Sequence, residues 1–418
     1  MHPRTNYRVA LLGLSALLAA PMTFAASVNT VPPLPPPSGT VVNVSTEAQL
    51  RSAVSALKSN TTIVLAAGTY NLSDALWIDG SYTNIGIRGA TNNRDDVVLA
   101  GKGMSNAAVP YGIWTGGDVN GITIANLTIR DVYYHCINFN AGTQTPRVYN
   151  VHLINAGEQF LKSNPDNNGG GVDNGRVEYS IIEYASTSPS TYTNGVDVHT
   201  GANWVVANNL FRNIRATGGL AGPAVLMWNH STNSTVEGNT FINCQREISL
   251  GLENVSPYDQ QGGVARNNFI YRAAGTNGDA AIFLGASPNS QVLNNTIYIS
   301  GDYPSPIEYR FSASKGELLE NNLLDGQVLA RDGASGTARN NVTNATSGLF
   351  AGAASGDLHL VSSASSAIDK GTSTGAPATD WDGQARPYGS AVDVGADEYE
   401  PSTTAKPPAP PTNVRIIG

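Results

Sequence analysis

The chain has 418 residues, and 24 lysines and arginines against 32 aspartates and glutamates give a formal charge of −8. This balance argues against a nucleic-acid binder, which carries a basic stripe, and a hydrophobic content of 41% excludes wholesale disorder. Two cysteines exclude both a disulfide scaffold and a cysteine-built zinc domain.

Residues 1–25 read as a secretory signal peptide. Arg4 and Arg8 precede an apolar run over residues 9–20, and Thr23-Phe24-Ala25 forms a small-residue cleavage pattern. That run is too short to span a bilayer, and no later stretch is long enough. The mature protein is therefore expected to be secreted (extracellular, periplasmic or cell-surface) with no membrane span. Residues 26–44 open as a Pro-rich linker. Residues 45–59 have helical spacing, with Leu50, Val54 and Leu57 on one face and Ser45 or Thr46 as N-cap. Residues 61–72 read as a buried strand followed by a Gly turn.

From there to about residue 350, short β-branched runs alternate with Gly, Asn and Ser clusters. Nine of these runs align on Asn126, Asn150, Tyr179, Asn208, Gly238, Asn267, Asn294, Asn321 and Asn340, at steps of 24, 29, 29, 30, 29, 27, 27 and 19 residues. Short strands repeating at such a period predict an all-β solenoid, a parallel β-helix over residues 45–350 with 45–59 as its N-terminal capping helix. Asn suits a tight bend because it tolerates the left-handed backbone and bonds to the Asn above and below. A β-sandwich or propeller would instead space its strands 8–12 residues apart without a stacked Asn column. Cys136 and Cys244 lie four coils apart, roughly 19 Å at about 4.8 Å per coil. A disulfide cannot reach that far, so two free buried thiols are predicted.

A second strand in each coil aligns Ile137, Leu161, Val196, Val225, Ile248, Ile282 and Ile307 as inward residues. Beside them run two outward columns. One is Asn138, Lys162, Asp197, Leu226, Ser249, Phe283 and Glu308; the other is Asn140, Asn164, His199, Trp228, Gly251, Gly285 and Arg310. An exposed face that concentrates Lys, Asp, His, Trp and Asn suits a sugar chain lying along the helix axis. Lys162, Asp197 and His199 form its sharpest cluster. Eliminating or inverting a uronate requires its carboxylate neutralised, the C5 proton taken and a proton delivered, and a Lys, a His and a carboxylate share these tasks. His199 is the better proton carrier and Lys162 the better neutraliser, because Asp197 favours a charged lysine. The competing reading is a surface ion pair.

These repeats resemble the secreted right-handed parallel β-helix superfamily, which includes pectate-lyase-like, chondroitinase-B-like and alginate-modifying proteins. Residues 351–400 resemble the C-terminal closing segment of bacterial proteins of this architecture, and a Pro-rich tail follows at 401–418. The Asp197-Val198-His199 strand with Lys162 one coil before it is similar to the Lys and Asp-x-His set of alginate epimerases and lyases. Val198 and Thr200 replace that family's Pro and second Asp, and Tyr192 and Asn194 stand near the place of its Tyr.

The leading expectation is thus a polysaccharide lyase or C5 epimerase with Lys162, Asp197 and His199 as catalytic residues. Asn138, Asn140, Asn164, Trp228, Arg246, Glu308 and Arg310 are candidates for substrate binding, although Glu308 and Arg310 also suit a mutual ion pair. An acidic polysaccharide is the expected partner and the protein a monomer. No metal or other cofactor is expected; calcium is conceivable at residues 164–175, with Asp166 and Asp173, but a Gly- and Asn-rich turn is favoured there. His135 and His152 read as structural. Two alternatives stay open. An inverting glycoside hydrolase needs two carboxyl groups about 6.5–9.5 Å apart, and Glu158 or Asp173 would have to swing toward Asp197. A non-catalytic glycan-binding coil would suit the low charge and Pro-rich flanks.

Overall fold

The computed structural model describes residues 30–401. The expected signal peptide and residues 402–418 of the tail lie outside the described residues.

The first coil is closed by a helix at Glu47–Ser55, where the Thr46 hydroxyl accepts the Gln49 N–H at 3.2 Å. Leu50, Val54 and Leu57 are buried at the end of the coil. The helix is shorter than the predicted 45–59 because Thr46 caps one end and Ala56 leaves helical geometry at the other. The linker reading also needs correction at its C-terminal end. Thr40–Val44 is a strand in parallel register with Thr61–Leu65, so it belongs to the first coil. The prolines before it lie along the outside of the rod. Proline offers a carbonyl but no N–H; accordingly the Pro32 carbonyl accepts from the Tyr149 hydroxyl at 2.6 Å, and the Pro35 carbonyl from Arg88 at 2.9 Å.

The chain then winds as a right-handed parallel β-helix. One wall is a ten-stranded parallel sheet running from Leu76–Asp79 to Val328–Arg331. The rest of the rod is two series of short strands that diverge from the long strands Val119–Val132 and Arg147–Ala156. The inward residues named from the sequence are buried without exception. Phe211 and Phe241 stack inside the rod with ring centroids 4.9 Å apart. Cys136 and Cys244 are both free and buried, as predicted.

All nine aligned bend positions have positive φ, between 50° and 63°. The Asn ladder, however, lies one residue further on. Asn209, Asn239, Asn268, Asn295 and Asn322 each pass an Nδ2 hydrogen bond to the next Oδ1, at 2.9–3.0 Å, and the ladder ends on Asn341. Bend and ladder are separate duties. The left-handed residue turns the chain and keeps its side chain on the outside, where Asn267, Asn294 and Asn321 donate to carbonyls of Thr379, Asp393 and Thr372. The next residue points inward, where an amide must find polar partners, and its copies in adjacent coils supply them.

Those outer asparagines tie the closing segment to the rod. Beneath it a second apolar cluster joins Leu210, Ile242, Phe269 and Leu323 of the coils to Leu358, Trp381 and Val394. His359 reinforces it, with Nδ1 2.5 Å from Asp357 and Nε2 2.9 Å from Asp382. Among the described residues no helix is long and apolar enough to cross a membrane.

Candidate active site

Strand pairing puts Asn138, Lys162, Asp197 and Leu226 side by side, with His199 beside Trp228. The sequence register is therefore met, and Lys162, Asp197 and His199 converge on one wall. Lys162 Nζ donates both to Asp197 Oδ2 and, at 2.7 Å, to His199 Nε2. Asp197 Oδ1 accepts the Trp228 indole N–H at 2.9 Å and lies 3.4 Å from His199 Nε2. The His199 and Trp228 rings meet edge to face at 4.6 Å.

Exposure differs from expectation. The wall was predicted as an exposed face, yet Lys162 and Asp197 are buried, as are Asn138, Ser249 and Glu308. Coils only about 4.8 Å apart let long side chains cover one another. His199 alone of the three stands partly open, its side chain 18% exposed against 7% for Lys162 and 2% for Asp197. Burial pushes the Asp197 carboxyl up, but the His199 hydrogen bond and the Lys162 charge outweigh it and hold the group below its ordinary value. The cluster is thus a buried carboxylate held against a lysine and an imidazole that touch each other, the imidazole being the most open of the three.

The other predicted contacts divide. Asn138, Asn140 and Asn164 form a small amide network, with Asn164 Nδ2 3.1 Å from Asn138 Oδ1 and 3.2 Å from Asn140 Oδ1. Trp228 is half-buried and serves as a donor to Asp197. Glu308 and Arg310 form the mutual ion pair that the sequence offered beside substrate binding: buried Glu308 accepts from Tyr303 and Arg310 and lies 3.5 Å from Arg331. Arg310 remains partly exposed and, with Arg246, Ser249 and Phe283, lines a cavity of about 190 Å³ on the same wall. Arg246 is 3.3 Å from Asp279. In the 164–175 loop, Asp166 Oδ1 accepts the N–H groups of Asn168 and Gly170, and Asp173 Oδ1 that of Ala202. Both carboxylates are used in shaping turns.

On the N-terminal side of the cluster the structure sets together His135, read from the sequence as structural, and Glu158, named there only for the hydrolase alternative. His135 Nδ1 lies 3.0 Å from the Gln159 carbonyl, which makes it the N–H donor and leaves Nε2 with a lone pair, 4.0 Å from a Glu158 oxygen. Burial pushes His135 down to about 4, and the Lys162 charge adds to the effect, so it is neutral near pH 7. Burial raises the Glu158 carboxyl. Neither Tyr192 nor Asn194 replaces the missing tyrosine: Tyr192 is turned to solvent, and Asn194 is buried with its Nδ2 on the Pro223 carbonyl at 2.8 Å. Extending the strand alignment two coils upstream, through LWID and YGIWTG, would have found Trp77 and Trp114 in the Lys162 column.

Among the described residues, one group of side chains has the make-up of a metal site, His359 with Asp382 and Asp397. Both its imidazole nitrogens already face carboxylates, and an Asp397 oxygen accepts the Leu360 N–H at 2.7 Å. It reads as a charged clamp on the closing segment.

No family model and no curated protein matches the chain. Solved structures do. The chain is similar to an alginate lyase from Paenibacillus sp. str. FPU-7, at 15% identity over 71% of this chain and 99% of that one, with a TM-score of 0.51. A pectate lyase (15% identity, 87% and 97% covered, TM-score 0.42) and the A-module of a mannuronan C-5 epimerase from Azotobacter vinelandii (13%, 72% and 94%, 0.40) also match. At such identity the likeness to the alginate lyase establishes the parallel β-helix fold and nothing finer.

Proposed function

We propose that the protein is a secreted polysaccharide lyase that cleaves a uronate-containing chain by abstracting the C5 proton. The observation that carries this reading is the direct contact of Lys162, Asp197 and His199 in one groove wall, with only the imidazole open to a ligand. Asp197 is a positioning residue: sunk beneath the groove, it fixes the charge of Lys162 and the orientation of His199. Lys162 places its ammonium near the substrate carboxylate, where negative charge develops as the C5–H bond breaks. Substrate entry draws the Lys162 ammonium from His199 Nε2 toward the substrate carboxylate; the freed Nε2 takes the C5 proton, and the electron pair left on C5 forms the C4–C5 double bond as the C4–O bond breaks. The protonated imidazole then returns a proton to the leaving oxygen. One wall supplies every group, which favours elimination over epimerisation, since inversion needs a donor on the opposite sugar face.

The test incubates purified protein with alginate, polygalacturonate and glycosaminoglycans, reading ultraviolet-absorbing unsaturated ends and reducing ends together. Both signals should rise in step, and Lys162→Ala and His199→Ala should each remove at least about 99% of the rate. Full activity in both variants refutes the site.

Hydrolysis is the second reading. Glu158 is raised and Asp197 lowered, a separation of carboxyl behaviour that suits an acid and base pair. Reducing ends without unsaturation would favour it.

A further inference from the structure

The groove wall changes character along its length. Upstream of Lys162 in the same register come Asn138, Trp114 and Trp77. Trp77 is 43% exposed, unusual for so large an apolar side chain. Its ring sits 5.2 Å from Trp114 and 5.7 Å from Tyr111, and Tyr111 continues to Tyr134 and His135 at 5.8 and 5.6 Å. The three strands that bear this ledge, Leu76–Asp79, Tyr111–Gly116 and His135–Asn140, contain no lysine or arginine. Their charged neighbours are acidic: Asp79 ends the first strand, Asp74 accepts the Trp77 indole N–H at 3.2 Å, and Glu158 faces His135. Downstream of the catalytic cluster the same wall carries Arg246, Arg310 and Arg331, the first two lining one cavity with Phe283.

Aromatic faces are negative at their centres. They accept the C–H face of a pyranose and repel a carboxylate, and Asp79 and Glu158 add to that repulsion. We propose that the Trp77–Trp114–Tyr111 ledge binds uncharged sugar units. The substrate is then a heteropolysaccharide in which the uronate held at Lys162 adjoins neutral sugars toward the helix-capped end of the rod, and acidic units face the arginines at the other end. This inference rests on the lyase reading and narrows its substrate class.

The test compares kcat/KM on two homopolymers of uronate, alginate and polygalacturonate, with that on two polymers that alternate uronate with an uncharged amino sugar, hyaluronan and unsulfated chondroitin. The alternating polymers should be preferred by about tenfold or more, one aromatic subsite's worth. On the preferred polymer, Trp77→Ala should raise KM about tenfold and lower kcat far less, with Trp77→Phe restoring most of the loss. Glu158→Gln should shift the ratio toward the homopolymers. A homopolymer cleaved as well as the best alternating polymer, or a KM that ignores Trp77→Ala, overturns the inference while leaving the lyase reading intact. Elimination from none of the four refutes the lyase reading itself.

Discussion

The buried Lys162–Asp197 pair separates catalysis from stability in one experiment. Asp197→Asn removes the only carboxylate that Lys162 contacts among the described residues, and the lysine side chain is 7% exposed. An ammonium left buried without its counterion costs about 3–5 kcal/mol. The new amide also sets an NH2 against either Lys162 or the Trp228 indole, each of which needs an acceptor, so the cost belongs at the upper end of that range. Replacing both partners, with Lys162→Met and Asp197→Leu together, removes the buried charges and keeps most of the volume; such replacements are often neutral or stabilising. His199 and Trp228 then lose partners, but they stand at the groove, where water takes over. The double variant should therefore lie within about 1 kcal/mol of wild type while its elimination rate falls to background. Urea unfolding measures the first quantity, and hydrogen exchange at Leu161–Asn164 and Val196–His199 localises it in a coil whose neighbours unfold separately. The pH dependence has a fixed sign. A carboxyl lowered on folding contributes stability above its unfolded value of about 3.9, and that contribution fades as pH falls through the folded value. The reasoning fails if Asp197→Asn alone costs less than about 1 kcal/mol, or if the doubly apolar variant still eliminates.

The other predictions concern the frame around the site. Asn268→Ala strands the Asn239 backbone N–H and one Asn239 amide hydrogen, each now 3.0 Å from Asn268 Oδ1. Two buried orphans at about 1–3 kcal/mol each give roughly 2–6 kcal/mol by chemical denaturation, and a loss below that range would show the ladder to be incidental. Burial lowers His359, but its hydrogen bonds to Asp357 and Asp382 win and raise it to about 10. Its contribution to holding the closing segment is then complete below its unfolded value of about 6.5 and disappears as pH climbs through about 10. Trp381, whose ring is 5.4 Å from His359, should report that transition in its fluorescence; an identical titration in His359→Gln would assign it elsewhere. Burial raises both thiols far above the usual range, so Cys136 and Cys244 should resist a disulfide reagent until the coil unfolds. Reaction of either in the native protein would contradict that burial.

The coil was legible because stacking forces a period onto the sequence. Each turn must bury one residue beneath its copy in the next turn, so Ile137, Leu161 and Val196 announce themselves by spacing. The bend was legible for the same reason, since few residues accept positive φ and Asn leads them. What spacing alone could not assign was which of two adjacent asparagines turned the chain and which built the ladder. In Asn208-Asn209 and Asn267-Asn268 both duties call for the same residue type. Gly238 carries the signal that separates them: a bend accepts Gly, whereas the ladder position after it is again an amide, Asn239. Thr40–Val44 was hidden by a different effect, because a strand that starts the rod has a partner on one side only and no upstream repeat to align with.

For the site, strand register fixed which residues meet but not how deep they lie. Alternation says that Lys162 points away from the core; it does not say that Lys162 folds against Asp197 and His199, or that Trp228 bonds to Asp197. That depth decides the division of labour. A lysine in open water would be the first group to meet a carboxylate, but Lys162 is sunk beside a buried aspartate and the partly open imidazole is the first group a ligand meets. His135 was read as structural for a related reason. It stands at the beginning of its strand, where the backbone turns into the wall and the two-residue alternation has not begun, so its position in the repeat says core while its Nε2 is left without a backbone partner. The period of this fold thus reveals whatever every coil must do alike, and it conceals the few places where one coil does something of its own. Those places, Lys162 under His199 and His135 beneath Tyr111, are where chemistry is to be sought.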